Sequence, residues 1–148
     1  MSDQRAEHLV VLDGMPTELF RRAVTYLADV LRECQLVLVG RAQGDDPEPT
    51  ISGLAEGLVP DLEEVRDAFT SGTYELNADG TIRFQTVLAV TQAATLAHLQ
   101  MQLVQLRLLG RNGGLMVEGH PDVTELLAWI WDEASDQLHG RAPRAHRT

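Results

Sequence analysis

The sequence predicts a single small domain of the α+β class, or a small α/β fold, with about three strands and four principal helices. Apolar residues recur at three- and four-residue spacing in several long segments, and shorter apolar runs bounded by Gly, Asp and Asn lie between them. The length of 148 residues suits one domain that buries roughly 70% of the surface its unfolded chain would expose. We expect a globular domain over residues 1–140 and a frayed basic tail over residues 141–148.

The strands are expected near residues 8–12, 82–90 and 114–118. A first helix should follow Pro16, because proline suits the first turn of a helix. Its buried stripe recurs at helical spacing and contains Phe20, Ala23, Leu27, Leu31 and Cys34. The apolar run over residues 35–40 either continues that helix or begins a strand, and we favour a helix that continues to about Leu38.

The middle of the chain predicts two separate helical pieces, a weak one over residues 51–58 and a stronger one over residues 60–72 that begins at Pro60. A hairpin around the Asp79-Gly80 turn could follow, although only its second run is typical of a strand. A strand, a helix and a strand in the last part of the chain suggest a crossover between parallel strands.

The charge of the chain is negative and unevenly distributed. The formal net charge is −10, there is no lysine, and residues 45–79 hold ten acids against Arg66 alone. Such a field repels phosphate backbones and anionic lipid surfaces, so we expect neither nucleic-acid nor membrane binding. A basic protein partner would instead be steered towards this segment.

No catalytic pattern stands out, and we expect neither an enzyme nor a cofactor. Cys34 is the single cysteine, which excludes an internal disulfide and a cysteine-based zinc site, and the five histidines show no paired metal-ligand spacing. The glycine clusters do not match a phosphate-binding loop. The first residues lack the charged and apolar regions of a signal peptide, which favours a cytoplasmic protein.

The helix expected over residues 91–110 is unusual because residues 84–106 contain no Asp, Glu or Arg. A leucine stripe (Leu96, Leu99, Leu103 and Leu106) lies beside a second apolar stripe (Ala97, Met101, Val104 and Leu108). The third side is polar but uncharged and holds Thr95, His98, Gln102 and Gln105. Because amides are desolvated at lower cost than carboxylates, we expect this helix to be covered on both sides, by the domain itself or by another chain.

The last helix offers a second candidate surface for a partner. Its main apolar stripe contains Val123, Leu127, Ile130, Ala134 and Leu138. Trp129, Glu133 and Gln137 lie along the neighbouring side. Since Trp129 and Trp131 are about 200 degrees apart on a helix, one of them must point away from the main stripe.

Short motifs at both ends of the chain have counterparts in one protein family. The N-terminal motifs are the apolar run that ends at Leu12, the pairs Leu19-Phe20 and Arg22-Ala23, and the run Val30–Cys34. The C-terminal motifs are Gly-Gly-Leu-Met-Val, Pro121-Asp122, Trp129, Asp132-Glu133, Gln137-Leu138, Gly140 and Pro143.

In these motifs the chain resembles a family of short, mostly uncharacterised actinobacterial proteins. Its relatives are encoded near partner-switching regulators, namely anti-sigma kinases, their antagonists and serine phosphatases. The chain departs from the family pattern at Tyr26, Ala28, Cys34 and Thr91, and its acidic middle matches poorly. The resemblance implies a regulatory role with such regulators as protein partners.

The leading hypothesis is therefore a non-enzymatic protein-binding regulatory module in a partner-switching or sigma-factor control circuit. Docking would use the side of Thr95, His98, Gln102 and Gln105 or the side of Trp129, Glu133 and Gln137. A homodimer through the 91–110 helix is equally compatible with the composition. The alternative is a small-ligand sensor with a pocket between the sheet and this helix, lined by Met101, His98 and the glutamines.

Overall fold

The computed structural model describes residues 6–44, 49–113 and 120–147. In chain order, the elements are β1 (Glu7–Pro16), α1 (Thr17–Ala42), α2 (Pro49–Ser71), β2 (Thr73–Leu76), β3 (Thr81–Ala89), α3 (Gln92–Gly113) and α4 (Pro121–Leu138). The predicted α+β class is confirmed. The four helices pack with the sheet around one apolar core.

The sheet has three antiparallel strands in the order β1-β3-β2. The register between β1 and β3 runs from Glu7 opposite Ala89 to Pro16 opposite Thr81, with a bulge between Leu12 and Met15. The third strand of this sheet is therefore β2, for which the sequence signal was weak. The strand expected at 114–118, and the parallel crossover that it would complete, lie outside the described residues.

Helix α1 continues through the run 35–40 and ends at Ala42, so the preference for a helix there is confirmed. The predicted stripe is buried along its first half, from Phe20 to Cys34. Leu36 and Val39 lie beyond that contact and are more than half exposed. Val37 and Leu38 of the same run are partly buried against the core, so these turns of the helix contact the core along one side only.

Helix α2 is continuous, and the prediction of two separate pieces is wrong. Pro60 lies inside the helix, where it lacks the N–H that would bond one turn back. The same buried stripe crosses this position, with Ala55 and Leu58 before it and Leu62 and Val65 after it. Burial of that stripe on both sides of the proline offsets the lost hydrogen bond and keeps one helix.

The hairpin between β2 and β3 forms around Asp79 and Gly80, as the Asp-Gly pair predicts. Gly80 has a φ of +84°, which favours glycine. The Asp79 carboxylate accepts bonds from the hydroxyl of Thr81 at 2.6 Å and from its backbone N–H at 3.0 Å. These bonds lower the pKa of Asp79. The hydrogen bonds of the turn therefore help to hold β2 against β3, although β2 is too short to be predicted from its own pattern.

One face of the sheet meets the helices. Ile82, Phe84, Thr86 and Leu88 of β3 are buried there, and Phe84 joins a cluster of aromatic rings that contains Phe20, Phe69 and Tyr74. In the described ranges, none of the helices combines the length and the apolar run that a bilayer crossing requires.

Candidate functional site

Helix α3 buries the predicted leucine stripe. Leu96, Leu99, Leu103 and Leu106 are each at most 7% exposed. Helices α2 and α4 and strand β3 all contact α3. This side of the helix therefore belongs to the core of the domain.

The second apolar stripe of α3 has no cover within the described chain, so of the two expected kinds of cover the described part of the domain does not supply this one. Met101 is 58% exposed, Val104 48% and Leu108 59%, and Ala97 is also exposed. We call these four residues the outer face of α3. Exposed His98 and Gln105 border it, and it carries no charge. A large apolar helix surface of this kind is typical of a site that another molecule covers.

The polar side of α3 is divided between its neighbours and solvent. Gln102 is 8% exposed and lies against α2, where a Cβ on Gly57 would be 2.5 Å from its Nε2. Thr95 is half-buried, whereas Gln105 is exposed. The lack of charge on this side is explained at Gln102 by intramolecular burial, and not by a partner.

One acid of α2, Asp61, borders the outer face, and a second, Glu64, lies against the inner side of α3. Nδ1 of His98 lies 2.9 Å from Oδ2 of Asp61, and Nε2 of Gln92 donates to Oε1 of Glu64 at 3.2 Å. Glu64 is exposed and Asp61 is partly exposed. The acidic segment noted in the sequence is thus placed directly beside an uncharged apolar surface.

The second predicted surface, on α4, is largely covered by other parts of the same chain. Glu133 is 2% exposed and Gln137 is 6% exposed, and Nε2 of Gln137 donates to Oε2 of Glu133 at 2.6 Å. The Gln137 amide also bonds both backbone groups of Val11 in β1. Trp131 is buried, and the half-buried Trp129 is the tryptophan that points away from the main stripe.

Residues 141–147, which we call the arginine segment, contact α4 and the β1 bulge. The sequence predicted a frayed tail here, whereas in the structure Arg141, Arg144 and His146 make hydrogen bonds to the domain. The backbone N–H of Arg144 donates to Oε2 of Glu133 at 3.0 Å, and that of His146 donates to the carbonyl of Asp13 at 2.8 Å. The buried carboxylate of Glu133 needs hydrogen-bond donors, and the Arg144 N–H is one of them beside the Gln137 amide. The basic composition of the segment did not predict its contact with Glu133, because in the sequence Glu133 has the pattern of a solvent-facing acid.

The ring of His146 lies against Trp129, with centroids 4.8 Å apart and an interplanar angle of 77°. Burial lowers the pKa of His146. No hydrogen-bond partner for its buried Nδ1 is found in the described part of the chain. The contact therefore favours the neutral ring.

A cavity of about 30 Å³ lies between the sheet and helices α2, α3 and α4. Its lining is mainly apolar and includes four polar residues, whereas the exposed Met101 and His98 do not reach it. The polar residues are Glu64, Thr86, Gln92 and Thr95. Its volume corresponds to about one water molecule. Binding sites for small ligands usually enclose hundreds of cubic ångströms. This cavity does not provide the pocket that the sensor hypothesis requires.

Among the residues that the structure describes, no three His, Cys, Asp or Glu side chains are grouped so as to hold a metal ion. Cys34 is buried, and this burial raises its pKa to about 11, as expected for a thiol that packs as a small apolar group.

No protein-family model, curated protein or solved structure matches the chain.

Proposed function

We propose that the protein is a non-enzymatic regulatory module that binds a protein partner through the outer face of α3. The single observation that supports this is the exposure of Met101, Val104 and Leu108 on one uncharged helix surface. These three side chains are about half exposed, so covering them fully would contribute about half of the ~1.5–3 kcal/mol of complete burial, or roughly 0.8–1.5 kcal/mol each. A partner surface that matches this strip would therefore gain substantial binding free energy.

The charges around the outer face specify the partner further. Asp61 borders it on the α2 side through His98, the exposed Arg107 lies along its other side, and the chain as a whole carries a net charge of −10. An apolar strip flanked by Lys or Arg complements this arrangement, because opposite charges at the rim of an interface accelerate association and suppress wrong partners. An amphipathic helix with a basic rim has this chemistry.

A second copy of the chain is the less favoured occupant. A symmetric dimer through α3 would bring the Asp61 carboxylates of the two copies towards each other, and like charges at an interface oppose association. The motif resemblance to proteins encoded near partner-switching regulators supports a regulator of that class as the partner. Anti-sigma kinases and serine phosphatases are the first proteins to test.

The experiment is site-specific photo-crosslinking of the full chain, with a photoreactive amino acid at position 101 or, as a control, at position 36. Leu36 is also 58% exposed but lies on α1. Crosslinked peptides are mapped by mass spectrometry in the native host and with purified regulators. We expect position 101 to link to an amphipathic segment with a basic rim, and position 36 not to link to it.

Three outcomes contradict the proposal. They are no crosslinked protein at position 101, the same products at positions 101 and 36, and a linked segment without basic residues. A crosslink between two copies at position 101 would overturn the assignment of a basic partner in favour of a homodimer.

A further inference from the structure

The surface that holds the arginine segment has the features of a peptide-binding site. The N–H groups of Arg144 and His146, two residues apart, both bond to the domain. Binding at alternate backbone positions is typical of an extended peptide laid along an element edge. The acceptor for His146 is the carbonyl of Asp13, which lies in the β1 bulge. A β-bulge disrupts the strand pairing locally and can leave a backbone carbonyl free to accept a bond from another segment.

Gly14 makes the close approach to β1 feasible. It has a φ of +78°, and a Cβ there would lie 3.0 Å from the carbonyl oxygen of His146. A side chain at this position would therefore be strained and would crowd the bound segment. The bulge thus presents the Asp13 carbonyl to the segment, and Gly14 beside it has no side chain that would crowd the segment.

Acidic side chains of α4 form ion pairs with the arginines of the segment. Oδ1 of Asp136 accepts from Arg141 at 3.2 Å, and its Oδ2 accepts from Arg144 at 3.0 Å. Nε of Arg144 also lies 3.6 Å from Oε1 of Glu133. Two arginines three positions apart are therefore recognised by two carboxylates one turn apart on α4.

The arginine side chains of the segment are held weakly, although its backbone is hydrogen-bonded to the domain. The side chains of Arg141 and Arg144 are 70% exposed, and exposed ion pairs contribute only about 0–1 kcal/mol each. Glu133, in contrast, is buried and would lose a backbone donor and a cation if the segment left. Any molecule that replaces the segment must therefore supply the same donors.

We propose that this surface is a receptor for an extended Arg-x-x-Arg segment of a partner protein, and that the chain's own arginine segment occupies it in the free protein. This surface is separate from the outer face of α3. An open cleft of about 870 Å³ between α4 and the segment, lined in part by the acid Asp132, leaves room for a bulkier or more basic competitor. Partner binding displaces the arginine segment.

A second copy's arginine segment is a weaker competitor. A tethered segment has an effective local concentration of about millimolar order, so an identical free segment does not displace it at micromolar protein concentration. A partner has to add contacts, and the acidic cleft supplies them.

The probe is a fluorescein-labelled peptide of residues 140–147, measured by fluorescence anisotropy against full-length proteins. Arg144→Ala weakens the internal contact, so we expect this variant to bind the peptide at least tenfold more tightly than the wild type. Adding Asp136→Asn should reduce that affinity at least tenfold. Adding Asp132→Asn instead should leave it unchanged, because the segment makes no hydrogen bond to that side chain in the described structure.

Circular dichroism shows whether each variant is folded, and Asp136→Glu supplies a second variant at the same position that should bind more tightly than Asp136→Asn. Equal affinity for the wild type and Arg144→Ala, no binding to either, or equal effects of the two asparagine substitutions would overturn the proposal. A wild-type dimer at 100 µM (about 1.6 mg/ml of a 16.3 kDa chain) in sedimentation velocity that is lost in Asp136→Asn would overturn the partner assignment in favour of exchange between copies.

Discussion

The side chain of Gln137 pairs with the backbone of Val11 as a neighbouring strand would. Its Nε2 donates to the Val11 carbonyl at 2.7 Å, and its Oε1 accepts the Val11 N–H at 2.9 Å. β1 is an edge strand, and unpaired edge groups invite association with other strands. One amide of α4 therefore closes part of the sheet edge and fixes the helix against β1.

Replacing Gln137 with Ala should lower the free energy of unfolding by about 2–3 kcal/mol, because both backbone groups of Val11 lose their partner. Urea denaturation followed by circular dichroism measures this change. Gln105→Ala is the control, since Gln105 is exposed on α3 and an exposed substitution changes stability by no more than about 0.5 kcal/mol. Equal losses in the two variants would refute the role of the amide.

The contact between Gly57 and Gln102 can be tested with a second glycine of the same helix. Gly53→Ala should stabilise the protein by about 0.5–1 kcal/mol, because alanine favours a helix and nothing lies within 4 Å of the new Cβ. Gly57→Ala should stabilise the protein less than Gly53→Ala does, since the end of the buried Gln102 side chain must move to make room.

The double variant Gly57→Ala/Gln102→Ala should recover most of that difference, because the crowded group is then gone. Thermal unfolding of the single and double variants gives the coupling free energy. A coupling of zero would show that α3 and α2 do not meet at this point.

The burial of Cys34 predicts that its thiol reacts slowly in the folded protein. Its pKa is raised to about 11, so at pH 8 almost no thiolate forms in the folded protein. We expect a disulfide-exchange reagent to react with Cys34 at least a hundredfold more slowly in buffer than in denaturing urea. A rapid reaction of the folded protein would contradict the buried position.

The same shift makes stability depend on alkaline pH. The unfolded thiol ionises near its ordinary pKa of 9.0 and the folded one near 11, so the unfolding free energy should fall as the pH rises through this interval. Urea midpoints at pH 8 and pH 10.5 measure the fall. It should be smaller in Cys34→Ala, where only the tyrosines and other groups titrate, and an unchanged fall would argue against the thiol.

The His146 contact should weaken in acid. Burial lowers the pKa of His146 below its ordinary value of 6.5, so its contribution to stability is complete above that value and is lost as the pH falls through the folded pKa. An NMR titration of the ring should give a pKa below 6.5 in the wild type. In Arg144→Ala the pKa should move back towards 6.5 because the segment is released more often. An ordinary pKa in both proteins would contradict the docked position.

Much of the fold could be predicted from periodicity alone. The stripes of α1, of the inner side of α3 and of α4 follow directly from their spacing, and β3 follows from strict alternation. Pro60 was misleading because a proline normally marks a helix start, and only the packing on both sides of it shows why α2 continues. β2 could be placed only through its turn.

The candidate surfaces were harder to predict because exposure is a tertiary property. The two apolar stripes of α3 look alike in the sequence, and nothing local distinguishes buried Leu103 from exposed Val104. Glu133 and Gln137 are four residues apart, a spacing that indicates a helical pair. Their partners Val11 and Arg144 lie in distant parts of the chain, so no local pattern reveals them.

The most direct test of the central claim is the affinity of the partner crosslinked at position 101 for two matched variants, Val104→Glu on the outer face of α3 and Val39→Glu on α1. Val104 is 48% exposed and Val39 53%, so neither substitution disturbs the core. Isothermal titration calorimetry should show at least tenfold weaker binding to Val104→Glu and unchanged binding to Val39→Glu. Unchanged binding to Val104→Glu, or equal losses in both variants, would contradict the assignment of this face as the docking surface.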